Sequence, residues 1–138
     1  MSIKINWQGS KAFEATSSTG HKVMMDASKE VGGEDRGSRP MELLLMGLGG
    51  CSGIDVMMML EKGKQNVTDC KMEITSERAD AVPAIYTKIH LHFTVTGSEL
   101  NEKKVKRAVE LSADKYCSVS KMLEKTAEMT HSYEIVEA

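Results

Sequence analysis

The sequence predicts an α+β fold, built as a single domain over residues 1–138. Alternation of polar and apolar residues indicates strands in the first third and in the middle of the chain, and segments with helical spacing follow each group. The length is that of one domain, and no repeat or linker interrupts it. A net charge of −2 provides no basic surface for nucleic acid or for an anionic membrane. We therefore expect a globular protein whose partners are neither of these.

Three short strands are predicted before the first helix. The segment that begins at Ile3 alternates apolar and polar residues, residues 12–16 can pair back onto it, and residues 21–26 supply a third strand. Glycine and serine between these segments are typical of turns. We expect an antiparallel meander, followed by a polar loop over residues 30–39.

A buried helix is predicted to begin at Pro40, because proline suits the first turn, where its missing N–H costs nothing. Glu42 in the same turn is favoured by the helix dipole. Residues 43–54 carry no charge on any side, and this stretch is shorter than the about 20 apolar residues that cross a bilayer. Four glycines in this helix each cost about 1 kcal/mol relative to alanine: Gly47, Gly49, Gly50 and Gly53. They indicate that something packs closely against the helix backbone.

The remainder of the chain predicts a hairpin, two helices and a closing strand. Two long alternating segments form the hairpin, with a polar tip near residues 78–83. Asn101 can cap an amphipathic helix that runs to about Lys115, and a short helix through Lys125 follows. Residues 133–136 supply the last strand, which would close the sheet.

The three cysteines are odd in number and widely spaced, which argues against a disulfide scaffold. No apolar segment typical of a secretory signal precedes them, so we expect a cytoplasmic protein with reduced thiols. Cys70 lies on the apolar face of its strand and is interpreted as a core residue. Cys51 lies among the helix glycines, and Cys117 precedes a short helix whose free N–H groups can favour a thiolate. Each of these two is either inert packing or a reactive thiol.

Other polar residues are interpreted as structural. His90 and His92 point the same way from one strand, but no third ligand stands at a recognisable spacing, so they are read as an exposed pair. Asp55 lies near Cys51 on one helix face, where its negative charge would oppose ionisation of a thiol. No glycine loop of the kind that holds a phosphate is present. We expect neither a metal nor a cofactor.

The segment from Arg39 to Cys51, which reads RPMELLL and then GGC, resembles the buried helix of the OsmC/Ohr family. These bacterial stress proteins include organic hydroperoxide reductases. Cys117 follows Cys51 by 66 residues and, in the sequence YCSVS, is similar to the family's second cysteine. The order of predicted elements matches over essentially the whole chain. The resemblance implies an OsmC-like fold, with antiparallel sheets wrapped around a buried central helix in an intertwined homodimer.

The same resemblance implies a peroxidase mechanism. Cys51 would attack an organic hydroperoxide and become a sulfenic acid, and Cys117 would condense with it to form a disulfide. An external dithiol, of the lipoyl type in this family, would reduce that bond by exchange. Two alternatives stay open: a non-catalytic module that binds a small apolar ligand, and a redox sensor that turns over slowly.

A reactive cysteine also needs a positive charge nearby, since a thiol with a pKa near 8.5 is only about 3% ionised at pH 7. Cys51 is about three turns into its helix, too far for the helix dipole to act. The family's reductases use an arginine from an early strand, held by a glutamate directly after the helix-starting proline. This chain has no arginine before Arg36, and Met41 follows that proline. It therefore resembles a divergent branch, in which Arg36, Arg39 and Arg78 are possible substitutes for that arginine. Arg39 is the best placed of the three in sequence, and Arg39 and Glu42 are the candidate supports of the thiolate.

Overall fold

The first of two compact units carries a small antiparallel sheet. The computed structural model describes all residues, 1–138, and the chain divides into residues 1–46 and residues 47–138. The sheet of the first unit has three strands, each paired with the next: β1 (Lys4–Trp7), β2 (Phe13–Thr16) and β3 (Lys22–Met25). The predicted meander is confirmed. A single domain over the full length stays a prediction.

The polar loop after β3 is ordered around a buried carboxylate. Asp26, only 2% exposed, accepts hydrogen bonds from the backbone N–H groups of Ala27, Glu34 and Arg36 at 2.7, 3.1 and 3.1 Å. A 3-10 turn, Lys29–Val31, lies within the loop. Burial by itself raises the pKa of Asp26, but the three N–H donors outweigh it and hold that pKa below its ordinary value of 3.8. The loop is therefore a folded structure that depends on one ionised side chain.

Replacing Asp26 by asparagine is expected to lower the melting temperature at pH 7, because an amide offers a weaker acceptor to the three N–H groups. Folding lowers the pKa of Asp26, so its contribution to stability is complete above the ordinary value and is lost as the pH falls through the lower folded value. Melting curves of the wild type and Asp26→Asn should therefore converge in acid. Asp80→Asn, at an exposed loop position, is the control. Equal melting temperatures at pH 7 would contradict this account.

The first helix, α1 (Pro40–Lys62), begins at the predicted proline. The backbone N–H of Arg39 donates to the Glu42 carboxylate at 3.0 Å, while the Arg39 carbonyl accepts the N–H of Leu43 at 3.3 Å, the first hydrogen bond of the helix. The Glu42 contact is one half of a capping box, and it satisfies a backbone donor that the helix leaves free. The local role of Glu42 is to start the helix.

The second unit is built on a three-stranded sheet in the order β4-β5-β6. β4 (Asn66–Arg78) and β5 (Tyr86–Ser98) form the predicted antiparallel hairpin. β6 (Glu128–Glu137) is longer than the predicted residues 133–136, and it pairs parallel to β5 rather than antiparallel. The reason is that the chain returns to the sheet through helices, and such a crossover brings the next strand in parallel.

Two short helices connect β5 to β6. Asn101 caps α2 (Glu102–Leu111), its side chain accepting the Lys104 N–H at 3.2 Å, as predicted. The helix does not continue to Lys115 in regular form, because residues 112–116 form a wider π-helical turn. α3 (Ser118–Leu123) follows directly. The core of this unit lies between these helices and one face of β5, whose buried side chains are Ile89, Leu91, Phe93 and Val95.

The part of α1 that belongs to the second unit is buried on one face only, not on all sides as its uncharged sequence predicts. The buried positions are Leu48, Gly49, Ser52, Val56 and Leu60. Apolar side chains on the other side are exposed, with Ile54 at 63%, Met58 at 51% and Met57 at 37%. The sheet covers one side of the helix, which leaves an apolar stripe on the surface.

The glycines of α1 divide between these two sides. Cβ atoms placed on Gly49 and Gly53 would lie 3.2 and 2.8 Å from side-chain atoms of β4, so the two glycines let the helix lie close to that strand. Gly47 and Gly50 have no atom within 4 Å of the corresponding position. Close packing against the helix backbone is therefore confirmed at Gly49 and Gly53, whereas Gly47 and Gly50 belong to the exposed stripe.

α1 is also long and apolar enough to cross a membrane, judged by those two properties alone. The uncharged stretch of residues 43–54 is too short to cross a bilayer, but the helix continues through Asp55 to Lys62. One face of the helix packs against β4 within the second unit. A cytoplasmic location stays a prediction.

Candidate active site

Two cysteines far apart in the chain meet between α1 and the start of α3. The Sγ atoms of Cys51 and Cys117 and a carboxylate oxygen of Asp55 all lie within 4.8 Å of one another. Cys51 and Asp55 are four residues apart and share one face of α1, while Cys117 stands between the π-helical turn and α3. The structure thus groups both candidate thiols with a carboxylate that the sequence analysis interpreted as structural.

The sulfur of Cys117 accepts hydrogen bonds in a fully buried position. The Ser52 hydroxyl donates to it at 3.2 Å and the Ser120 backbone N–H at 3.4 Å, so the sulfur caps α3. The pKa of Cys117 is raised, first because burial disfavours the thiolate and also because Cys51 lies beside it, although both hydrogen bonds oppose this. The N–H group at the start of α3 lowers the pKa of Cys117, as predicted, but burial raises that pKa by more. Cys117 is therefore a thiol at neutral pH.

Cys51 differs from Cys117 in its exposure. Its residue is half-buried, whereas Cys117 is 0% exposed. Cys51 is therefore the more accessible residue of the two.

Two buried serines tie the cluster together. The Ser112 hydroxyl lies 3.4 Å from the Ser52 carbonyl oxygen and 3.4 Å from a carboxylate oxygen of Asp55. Ser52 and Ser112 are 2% and 1% exposed, so their hydroxyl groups are satisfied inside the protein. The sequence analysis did not identify them as site residues. One indication of a buried polar site was present in the sequence, because Ser112 is a polar residue at an apolar position of the helical repeat that includes α2.

A pocket of about 590 Å³ opens beside Asp55, between the second half of α1 and α2. Its apolar wall is formed by Met58, Met59, Ala108 and Leu111. Its cationic residues are Lys62, Lys104 and Arg107. The pocket is thus apolar along its wall, positive at several points, and adjacent to the thiols through Asp55.

Arg39 and Glu42 lie in the first unit and contact its own loop. The Arg39 guanidinium donates to the Asp35 carboxylate at 3.0 Å and to the Gly37 carbonyl at 3.1 Å. These contacts hold the arginine at the start of α1. Support of the Cys51 thiolate by Arg39 and Glu42 stays a prediction.

The other polar candidates lie on the sheet. His90 and His92 are on β5, and their ring nitrogens are hydrogen-bonded to Thr130, Ser132 and Glu134 of β6 at 2.7–3.3 Å. The two rings are therefore half-buried members of a cross-strand network rather than a fully exposed pair.

Cys70 is half-buried on β4 rather than fully in the core. Burial raises the pKa of Cys70, and the neighbouring Asp69 raises it further. It is a protonated thiol and serves below as the control for the other two cysteines.

One known protein family matches most of this chain. The family model described as OsmC-like protein matches residues 32–132, which include both clustered cysteines. This chain belongs to the OsmC-like family. A relative of this OsmC-like protein, Protein YhfA from Escherichia coli strain K12, is 47% identical over 138 residues and covers 100% of both chains.

Solved structures share the OsmC-like fold. A hypothetical protein from Aquifex aeolicus VF5 superimposes with a TM-score of 0.87 at 31% identity, covering 99% of this chain and 96% of its own. An organic hydroperoxide resistance protein OsmC from Legionella pneumophila gives a TM-score of 0.68 at 16% identity, covering 96% and 94%. The predicted α+β, OsmC-like fold is confirmed.

Proposed function

We propose that this chain is a thiol-dependent peroxidase that reduces organic hydroperoxides, with Cys51 as the reacting thiolate and Cys117 as the resolving thiol. The observation that carries the proposal is that two sulfurs 66 residues apart in sequence lie within 4.8 Å of each other. Family membership supports it, as does a fold shared with a protein named for organic hydroperoxide resistance.

The difference in burial supports the division of roles. Cys51 is accessible enough to meet a hydroperoxide, and Cys117 is fully buried beside it. As a buried thiol, Cys117 is protected from direct oxidation. It becomes reactive only when a sulfenic acid forms at its neighbour. The order of events is therefore Cys51 first and Cys117 second.

The reaction has three steps. The Cys51 thiolate attacks the distal oxygen of the hydroperoxide, the O–O bond breaks, and the alkoxide takes a proton to leave as an alcohol. The Cys117 sulfur then displaces hydroxide from the Cys51 sulfenic acid, and its proton leaves with the hydroxide as water. For this step the Sγ atoms of Cys51 and Cys117, which lie within 4.8 Å of each other in the reduced protein, must approach to the length of a disulfide bond, about 2.05 Å. A lipoyl-type dithiol restores both thiols by exchange and is itself oxidised to a disulfide.

The pocket beside Asp55 supports a substrate with an apolar body and an acidic group. Replacing Arg107 by glutamate is expected to raise KM for a carboxylate-bearing hydroperoxide about fivefold or more, since reversing one exposed charge costs about 1 kcal/mol. KM for cumene hydroperoxide, which has no charge, should not change. Lys103→Glu, an exposed α2 position outside the pocket, is the control. Equal effects of Arg107→Glu on both substrates would contradict this placement of the substrate.

We also propose that the chain functions as a homodimer through the exposed stripe of α1. The stripe combines Gly47 and Gly50, which have open space beside them, with exposed Ile54, Met57 and Met58. These positions recur at intervals of three or four residues, so they form one continuous surface. A contiguous apolar surface of this kind marks a protein interface, and glycines permit two helices to approach closely. A second copy of the same stripe satisfies both features.

Consumption of cumene hydroperoxide by the reduced protein tests the proposed activity, with dihydrolipoamide as the dithiol. The proposal predicts many turnovers per chain, with one cumyl alcohol formed per hydroperoxide. The apolar pocket wall predicts slower consumption of hydrogen peroxide than of cumene hydroperoxide. No thiol oxidation would favour a non-catalytic binding module, and oxidation that stops after one turnover would favour a redox sensor. Either result would contradict the peroxidase proposal.

A further inference from the structure

The thiol cluster contains a carboxylate that the peroxidase steps do not use. An oxygen of Asp55 lies within 4.8 Å of the sulfurs of both Cys51 and Cys117. The peroxidase steps route neither a proton nor an oxygen atom through this carboxylate. Two sulfurs and one carboxylate oxygen converging from two elements are, however, a set of ligands for a positive ion.

We propose that Cys51, Asp55 and Cys117 bind one zinc ion when both cysteines are reduced. Zinc is held by thiolate, imidazole and carboxylate ligands in tetrahedral sites, whereas calcium and magnesium require oxygen ligands. Two sulfurs among three ligands therefore select zinc over the hard cations. Three protein ligands leave a fourth position for water, as in zinc sites that are open to solutes.

The separation of the ligand atoms is close to what zinc requires. With Zn–S bonds of about 2.3 Å and a Zn–O bond of about 2.1 Å, tetrahedral ligand atoms lie about 3.6–3.8 Å apart. The atoms of the cluster lie within 4.8 Å of one another. Side-chain rotations that bring these atoms closer together by about 1 Å therefore give the separation that zinc requires. Cys51 and Asp55 are held at helical spacing on α1, and Cys117 completes the site from the opposite side.

Groups around the ligands are already arranged as a supporting shell. The Ser52 hydroxyl and the Ser120 N–H donate to the Cys117 sulfur at 3.2 and 3.4 Å, and the Ser112 hydroxyl lies 3.4 Å from Asp55 Oδ2. Such donors orient the ligands of a metal and stabilise their charged forms. The pocket of about 590 Å³, which Asp55 lines, provides a path for the ion.

Zinc binding and disulfide formation exclude each other, because both use the same two sulfurs. The thiol protons leave when the metal binds, and oxidation of the two sulfurs to a disulfide removes two of the three ligands. Binding itself does not depend on the peroxidase activity. If the proposed activity holds, zinc protects the reduced thiols, and a hydroperoxide can oxidise Cys51 only in the metal-free protein.

Titration of the reduced protein with cobalt(II), followed by displacement with zinc, tests the site. We expect one ion per chain, the charge-transfer absorption of cobalt–thiolate bonds, and release of protons. Cys51→Ser and Cys117→Ser are each expected to weaken binding about 100-fold or more, and Asp55→Asn about 10-fold or more. Cys70→Ser, a cysteine outside the cluster, should bind as the wild type does.

Ser112→Ala keeps all three ligands and is expected to weaken binding about 10-fold, which tests the supporting shell even if a ligand variant fails to fold. Protein oxidised to the Cys51–Cys117 disulfide should take up no cobalt. The site is disproved if the wild type binds no ion, or if the variant lacking both cysteines binds as tightly as the wild type. Either result leaves the peroxidase assay unaffected, and an inactive protein leaves this titration equally valid.

Discussion

Replacing Cys51 by serine is expected to abolish the proposed turnover of organic hydroperoxides, with kcat/KM falling about 10³-fold or more, because a covalent nucleophile is removed. A serine hydroxyl stays protonated at neutral pH and cannot take the distal oxygen. Cys117→Ser should behave differently, because Cys51 still reacts with the first hydroperoxide. Its sulfenic acid then has no partner thiol, and excess hydroperoxide converts it to a sulfinic acid that a dithiol does not reduce. Steady-state rates and the mass of the Cys51 peptide check both outcomes.

Cys70→Ser is the matched control for this pair, since Cys70 is the one remaining cysteine and lies on β4 outside the cluster. It should keep the full rate. Equal loss of activity in Cys70→Ser and Cys51→Ser would contradict the assignment of Cys51. Full multiple turnover by Cys117→Ser would contradict the resolving role of Cys117.

Replacing Gly50 by valine is expected to weaken the proposed homodimer about 30-fold or more. A Cβ at Gly50 meets no atom of the same chain within 4 Å, so the isolated chain can hold the larger side chain. Valine is also no worse than glycine in a helix interior. Between two packed helices, an oversized side chain costs about 1–3 kcal/mol. A two-fold symmetric dimer contains the substitution twice, so this cost in dimer stability is doubled. Sedimentation equilibrium measures the shift from dimer to monomer.

Two further variants separate the interface from a general effect of valine. Gly50→Ala adds a single carbon and should weaken the dimer less than Gly50→Val. Lys106→Val places the same side chain at an exposed position of α2 and should leave the dimer unchanged. A Gly50→Val protein that stays fully dimeric at the concentrations where the wild type does would rule out the α1 stripe as the contact.

Local patterns predicted most of the fold, and the errors have physical causes. The meander, the start of α1 and the β4–β5 hairpin follow from alternation, turn residues and a helix-starting proline. The alternation breaks at the start of β5, where Tyr86 is 5% exposed, because an irregularity between Glu77 and Arg78 shifts the strand register. The parallel direction of β6 depends on how the intervening helices pack, which residue alternation does not encode.

The candidate site was only partly predictable. The approach of Cys51 to Cys117 is a contact over 66 residues, and it was expected from family resemblance rather than from the spacing itself. Helical spacing predicted that Asp55 lies near Cys51, but the approach of Asp55 and Ser112 to Cys117 depends on how α1 and α2 pack, which the sequence does not encode. Burial of α1 was overestimated because an exposed apolar stripe on one side of a helix looks the same in sequence as a buried side.

The proposed mechanism requires above all that the two clustered sulfurs react with each other. Reduced protein is treated with one equivalent of tert-butyl hydroperoxide, and the remaining thiols are alkylated before peptide mapping by mass spectrometry. The account predicts loss of two thiols per chain, a peptide pair joined through Cys51 and Cys117, and an alkylated Cys70. Three intact thiols, or a disulfide that includes Cys70, would contradict it.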